Sequence, residues 1–353
     1  MPRKWRKRME DVACLKNAKE AYSWVYSHTK KGKRFTYSDD ALLHLCDSLL
    51  DGSWFPGDPL EWDHYEPTSD KWRHIVEPTY ETKIVERMVL QVYMPYICKY
   101  LHPGMCGSIP KRGTKRVRNT VKRWLKLPKK QRKYFAHGDI KKCFYSIRIE
   151  DAMHEWKRHV GDTRVHWLLW ELMTMHGRFT IGLCIGAALA HPTANLVLHR
   201  IASRYGAHIV FQMDDFAFIG GNLRRMKRAL DDIVTYAHDV LSLVVHKMSI
   251  SKWAKEPIDI AGYRIFWNGK VRVRKKTFKK VMRQADNFNL CRRQRSRLGS
   301  MYGMIKATTS IRLAKYIKEK LNSYVCRKRL KHNDGSLLNC REGRQDILLC
   351  QAL

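Results

Sequence analysis

Acidic residues are scarce in this sequence. Asp and Glu number 33 against 68 Lys and Arg, so the 353-residue chain carries a formal charge of +35 at pH 7. That imbalance argues against an enzyme that meets only a small neutral substrate, because such a field destabilises the compact state unless a polyanion neutralises it. A long nucleic acid supplies that counter-charge; an anionic membrane surface is the rival. Long apolar runs are also missing. The most apolar stretch, residues 181–198 (IGLCIGAALAHPTANLVL), is broken by His191, Pro192 and Asn195 and makes a poor bilayer span. The N-terminal MPRKWRKRME has no apolar segment behind its basic residues, so no export signal is expected. Ten cysteines include no Cys-x-x-Cys pair, which argues against a zinc ribbon. They read as buried small hydrophobes, reduced in a cytoplasmic setting. There is no internal repeat and no low-complexity linker. What is present is a folding composition, 44% apolar, long enough for two or three domains.

The positive charge is laid out in blocks. Residues 105–134 hold twelve Lys or Arg and no acid, and residues 261–330 hold twenty-one against Asp286 and Glu319. A solvated face explains one basic helix but not two long acid-poor blocks, so both predict nucleic-acid contact. Within the first block, from Arg112 onward, Val117, Val121, Trp124 and Leu125 recur at helical spacing with a basic opposite face. In the second block, residues 292–321 predict two helices parted near Thr308–Ser310. Trp5 and Trp124, set among basic residues, are candidates for stacking on bases.

Between the blocks lie the acids. Residues 134–140 (YFAHGDI) predict a short strand carrying Asp139 near its end. His137 beside it reads as a packed strand histidine. Residues 209–221 (IVFQMDDFAFIGG) predict a β-hairpin with Asp214 and Asp215 at its tip. Two adjacent acids in an apolar hairpin are costly unless compensated. Arginines could do so; the functional alternative is a divalent metal site. Mg²⁺ takes oxygen ligands, typically one or two carboxylates plus substrate phosphates. Two such ions can activate a 3′-hydroxyl and stabilise leaving pyrophosphate. Asn222 then caps a predicted helix with Leu223, Met226, Leu230, Ile233, Val234, Ala237 and Leu241 on one face, and a strand is expected to follow, ending at Lys247. Strand, helix, hairpin, helix, strand is an α+β, ferredoxin-like order, the layout of a polymerase palm.

These residues resemble a reverse transcriptase of the bacterial, group II intron-like branch. Asp139 with Phe144 resembles the first palm motif, and QMDD at 212–215 resembles the Tyr-x-Asp-Asp box, with Gln212 in place of the Tyr close to the primer terminus. GLCIGAALAH at 182–191 resembles the segment that packs on the incoming base pair. KWRHIVEPTYETKIVERMV at 71–89 and GSIPKRGT at 107–114 resemble the fingers motifs, with Ile109 where the family usually has Arg. AGYRIFWNGKVRVRK at 261–275 and YGMIKATTSIRL at 302–313 resemble the last palm strands and the thumb. The resemblance covers roughly residues 15–325. Ile185 stands where group II intron and retron enzymes have Gln, which makes the chain most similar to the enzymes of diversity-generating retroelements, although Ala190-His191 departs from their usual Ser-Gln.

The resemblance implies a right-hand polymerase: an N-terminal helical extension over 1–60, fingers over 61–135, palm over 136–265, thumb over 266–330 and a tail over 331–353. It implies Asp139, Asp214 and Asp215 as catalytic residues, with Asp139, Ile140 and Asp214 at two Mg²⁺ ions for which Mn²⁺ can substitute. It implies Arg73, Lys83, Ile140, Phe144, Ile185, Gly186 and Lys247 around the dNTP. Lys111, Arg112, Lys115, Arg272, Arg274, Lys275 and Lys306 would meet the template RNA and the cDNA/RNA duplex. It further implies error-prone copying at adenines, a small basic oligomeric accessory protein, no membrane, and a cytoplasmic location in a bacterial or phage-infected host. A defence-type or group II-like/retron reverse transcriptase, including one that works without a template, and a non-catalytic RNA-binding relative remain open at this point.

Overall fold

The computed structural model describes residues 4–66, 71–206, 208–287 and 292–333. The chain begins with α1 (Met9–Val12), α2 (Leu15–His28) and α3 (Asp39–Asp51). Helix α3 starts where the Ser38 hydroxyl accepts the Ala41 N–H, and stops at Gly52 with φ 78°. Strands β1 (Leu60–Glu66) and β2 (Lys71–Glu77) pair antiparallel as a two-stranded ribbon, Tyr65 opposite Trp72. The long α4 (Tyr80–Tyr100) follows and buries Ile84, Val85, Met88, Val89 and Ile97. Helix α5 (Thr114–Trp124) is the one expected after Arg112, with Val117, Val121 and Trp124 buried.

The centre is a four-stranded antiparallel sheet. Strand β3 (Tyr134–Ile140) leads through α6 (Cys143–Ser146), α7 (Ile149–His159), α8 (Thr163–Thr174) and α9 (Ala190–Tyr205) to the hairpin of β4 (Ile209–Gln212) and β5 (Asp215–Gly220). Helix α10 (Leu223–Leu241) then returns the chain for β6 (Val245–Lys252). The order β4-β5-β3-β6 is the ferredoxin-like order. Helix α10 packs on β3, β5 and β6 through Met226, Leu230, Ile233, Ala237 and Leu241, and Asn222 caps it by accepting the Arg225 N–H.

The strand expected to end at Lys247 begins later and runs on to Lys252. The reason is that α10 continues to Leu241 and only Ser242, at φ 52°, ends it. Strand β6 pairs with β3 in two registers. Ile140 faces Val245 and Asp139 faces His246, but His137 faces Ser249. One extra residue therefore sits in β6, a bulge at Lys247, whose φ is +53°.

Strands β7 (Ile258–Ile260), β8 (Tyr263–Ile265) and β9 (Val271–Val273) form a second sheet that shares a core with α5. Helices α11 (Lys275–Asp286), α12 (Arg292–Lys306) and α13 (Ile311–Asn333) close on a small core of Val281, Ala285, Leu298, Ile305, Leu313 and Ile317. The break near Thr308–Ser310 is where the sequence puts it. The tail expected over 331–353 starts inside α13, and its residues 334–353 lie outside the described residues.

Trp124 is buried and Trp5 half-buried against the core, contrary to the base-stacking expectation. Trp5 stacks on His159 with centroids 4.8 Å apart and meets Tyr93, Tyr96 and Trp156, while Trp124 is buried with Val117 and Val121. Each indole is the largest apolar group of a basic segment and is what anchors that segment to the core. Cys46, Cys106, Cys143 and Cys184 are buried and unpaired, whereas Cys14 is exposed. Among the described residues no helix is long and apolar enough to cross a membrane.

Candidate active site

The acids converge because the sheet pairs their strands. Asp139 in β3 is the cross-strand partner of Asp215, the first residue of β5. Asp214 sits in the two-residue turn Met213-Asp214 between β4 and β5. Met213 takes φ +58°, which hairpin turns normally assign to glycine. The turn is held on two sides. A Cβ on Gly107 would lie 2.5 Å from the Met213 nitrogen, so only glycine fits beneath it. The Gly107 carbonyl accepts a 2.9 Å hydrogen bond from buried Asn195. Opposite, the Ile140 N–H donates to the Asp214 carbonyl at 3.0 Å.

The carboxyls differ in their surroundings. Burial raises the Asp214 pKa above the usual carboxylate value, Asp139 and Asp215 add to the rise, and Arg73 partly offsets it. Asp215 lies 2.5 Å from His137 Nε2, and its other oxygen lies 4.0 Å from Arg274. Burial disfavours a proton on His137, but the Asp215 carboxylate outweighs it and the pKa is raised. Asp139 has His246 Nδ1 3.2 Å away and Lys247 Nζ at 3.7 Å. Neighbours on a regular strand point to opposite faces; the bulge brings both toward one carboxylate. His137 is thus not plain packing. Its signal was the spacing of two from Asp139, which puts both on one face of β3. His246 had no local signal. The Cys143 thiol is pushed up by burial and then by Asp214 and Asp139, so it stays protonated.

The donors fit a hard divalent cation. Among the described residues no three His, Cys, Asp or Glu side chains gather into a metal cage. Asp139 and Asp214 instead offer an oxygen-only pair that repels itself, which suits an ion completing its shell with water and substrate phosphates. Ile140 is fully buried, so only its backbone is available there.

The nucleotide-side residues gather around α6. Phe144 is half-buried with its ring 5.0 Å from His191. The Leu183 N–H donates to the Phe144 carbonyl at 2.7 Å, and the Ile185 carbonyl accepts the Val76 N–H at 2.9 Å. A Cβ on Gly186, at φ +130°, would lie 2.4 Å from the Val76 carbonyl oxygen. The Tyr145 hydroxyl accepts the His74 N–H at 3.1 Å. Segment 182–188 is therefore packed between β2 and α6. Arg73, whose charge reaches Asp214, pairs with Glu66 at 2.8 Å, and Lys83 pairs with Glu77 at 2.6 Å.

Lys111, Lys115, Arg272, Arg274, Lys275 and Lys306 are exposed. Arg112 is otherwise engaged. Its two terminal nitrogens donate to the carbonyls of His102, Met105 and Cys98 at 2.8–3.0 Å, tying down the loop before α5. It reads as a loop-fastening arginine and not as a phosphate ligand. Arg274 itself donates to Asp259, and next to it along the chain a groove of about 940 Å³ opens between β8, β9, α11 and α13, with Arg264, Lys270, Arg272, Lys275 and Arg312 in its lining and no acid.

Acids at one end of a ferredoxin-like sheet, with a helical bundle beyond a second small sheet, define a right-hand nucleic-acid polymerase. Residues 64–265, more than half of the chain, match the family model for reverse transcriptase (RNA-dependent DNA polymerase), and the chain belongs to that family. Enzymes of this family work with divalent metal ions. Among solved structures, the telomerase from Candida albicans in complex with the TWJ fragment of telomeric RNA aligns at 10% identity and a TM-score of 0.48, covering 77% of this chain and 57% of that one. Apo telomerase from Candida tropicalis aligns at 12% and 0.49, covering 80% and 58%. The chain thus spans less than two thirds of either telomerase chain. No curated protein sequence matches it.

Proposed function

We propose that this protein is an RNA-directed DNA polymerase that copies a template RNA into cDNA from dNTPs. One observation carries the reading: Asp139 and Asp214 converge at the end of the sheet, where the Asp139 carboxylate adds to the cost of a charge on Asp214. Two Mg²⁺ ions, with Mn²⁺ as a substitute, would supply the Lewis acidity that activates a primer 3′-hydroxyl and neutralises departing pyrophosphate. Asp139, Asp214 and the Ile140 backbone would hold them. Phe144 screens the sugar of the incoming nucleotide, and Arg73 and Lys247 lie near enough to the acids to take triphosphate charge. The cations from Arg274 into the groove give the template–cDNA duplex a bed. The catalysis is positioning and charge compensation.

The finer assignment is to the reverse transcriptases of diversity-generating retroelements, with error-prone copying at adenines and a small basic oligomeric partner. It is supported by Ile185. Its backbone is tied to Val76, and its side chain cannot form the polar contact that Gln makes possible in relatives. A missing polar contact weakens discrimination between right and wrong pairs. Primer extension on a defined structured RNA, followed by cDNA sequencing, tests both levels. Mg²⁺-dependent product with substitutions concentrated at adenines is expected. Errors spread evenly over four bases overturn the retroelement assignment, and no incorporation with any divalent ion overturns the polymerase.

A further inference from the structure

Among the described residues, two carboxylates outside the acid cluster are fully buried, and they differ. Glu155 on α7 is ion-paired with Arg158 and Arg200. Glu86 on α4 has no ion pair among the described residues. Its two oxygens accept backbone N–H groups instead, from Ala188 at 3.0 Å and Leu189 at 3.2 Å. Those residues close segment 182–188 and lead into α9, where backbone donors have no helical partner. The segment is held at four places: Gly182 on the Ile147 carbonyl, Leu183 on the Phe144 carbonyl, Ile185 on the Val76 N–H, and Ala188 with Leu189 on Glu86. The first three are backbone bonds that any sequence could make. The fourth depends on one side chain, and a buried charge is an expensive way to supply it unless the placement matters.

We infer that Glu86 is a positioning residue for the nucleotide pocket, fixing segment 182–188 against Phe144 through the N–H groups of Ala188 and Leu189. The inference rests on the reading of that segment as a wall of the dNTP site. Glu86→Gln keeps the side chain's shape but turns an N–H₂ donor toward one of two donors. Protonation of Glu86 removes the same acceptor. Burial pushes the Glu86 carboxyl up to about 7, against the pull of the two backbone N–H groups and Lys83. Its other titratable neighbour is Cys184, held up at about 12 chiefly by burial, and His191 on α9 turns to Phe144 with its pKa lowered by burial. Neither changes charge as the pH falls from about 8.5 to about 7.

The sign follows. Above the Glu86 pKa the carboxylate accepts both N–H groups; as pH falls through it, one acceptor is lost and the segment loosens. The experiment measures dNTP KM and kcat for the full chain and for Glu86→Gln on one RNA–primer substrate between about pH 6 and about pH 8.5, with thermal midpoints alongside. At the alkaline end Glu86→Gln should raise KM about fivefold, the worth of one hydrogen bond, with kcat little changed and no fall in thermal midpoint. Toward the acid end the KM ratio of the two proteins should approach one, because the natural chain has lost the same acceptor. Taking the ratio cancels the protonation of the triphosphate itself. A ratio near one at every pH overturns the role of Glu86. So does a constant ratio accompanied by a lowered thermal midpoint, the signature of a merely structural carboxylate. If the natural chain incorporates no dNTP at all, the polymerase reading falls and carries this inference with it; normal incorporation with an indifferent Glu86→Gln removes the inference alone.

Discussion

The two walls of the candidate site are built on different terms. On the palm wall the acids are placed by repetition. Asp139 and Asp215 are partners in a ladder of antiparallel pairs, and Asp214 lies in the turn that joins two of its strands. On the fingers wall, β2 and segment 182–188 are held by separate local contacts: Tyr145 on His74, Ile185 on Val76, Glu86 on Ala188 and Leu189. A ladder shares the loss of one bond among its neighbours, whereas a single contact fails alone. The difference suggests that chemistry here resides in the rigid wall and selection of the nucleotide in the adjustable one.

The largest effect should come from the palm wall. Asp214→Asn should lower dNTP incorporation by about 10³-fold or more, since charge compensation is the main catalytic contribution, while RNA binding in a filter assay stays near that of the natural chain. Normal incorporation would erase the distinction between the walls.

Next comes a change that undermines both walls together. His159 and His199 are buried beside Tyr100 beneath the main core, and burial lowers each imidazole to about 4. Both are neutral in the fold, while in the unfolded chain they titrate near 6.5. Their contribution to stability is therefore whole above that pH and is lost as pH falls toward 4, by about 1.4 kcal/mol per pH unit for each. Urea midpoints at neutral and mildly acid pH measure it. Equal midpoints would show that the imidazoles are not kept neutral by burial.

Two glycines compare the walls directly. On the palm wall, a Cβ at Gly138 would meet the Phe216 ring at 2.5 Å. Gly138→Ala should cost about 1–3 kcal/mol of stability through overpacking and lower kcat. On the fingers wall, Gly186→Ala should instead raise the dNTP KM about tenfold, as strain of about 1–3 kcal/mol at φ +130° moves the segment off β2. If both variants lose stability and kcat alike, the walls are one mechanical unit. The smallest effect is expected from Tyr145→Phe, which removes the hydroxyl that accepts the His74 N–H and donates to the His74 carbonyl at 3.4 Å, and should raise KM at most about fivefold; a loss of kcat would place Tyr145 in the chemistry.

What could be read in the sequence follows the same division. The β3 strand, the β4–β5 hairpin with its acids, the α10 stripe and the Asn222 cap all announce themselves within a few residues, because period and turn chemistry are local. The end of β6 was misplaced because a bulge leaves no compositional mark. A basic run does not say which cation turns inward to carbonyls, so the sequence alone does not separate Arg112 from a phosphate ligand. Nor does it say which indoles in such a run, Trp5 and Trp124 here, turn to the core. His246, Asn195, Gly107 and Glu86 were invisible as site residues, since each acts on a partner about 90 to 110 positions away.

The bulge at Lys247 also acts as a change of phase. Val245 and Ile250 are five residues apart, an odd interval that would put them on opposite sides of a regular strand. Both nevertheless pack against the main core, as do their partners Ile140 and Ala136. The supernumerary residue lets one strand switch parity midway, so the half that carries His246 and the half that seals the sheet are kept in step independently. Removing Met248 would cut that interval to four, which a regular strand keeps on one face, so Ile250 would stay opposite Ala136 while the bulge that brings Lys247 toward Asp139 would be lost. The end of β6 beside Asp139 and the end that seals the sheet are thus, in effect, two sentences of a text separated by one inserted letter.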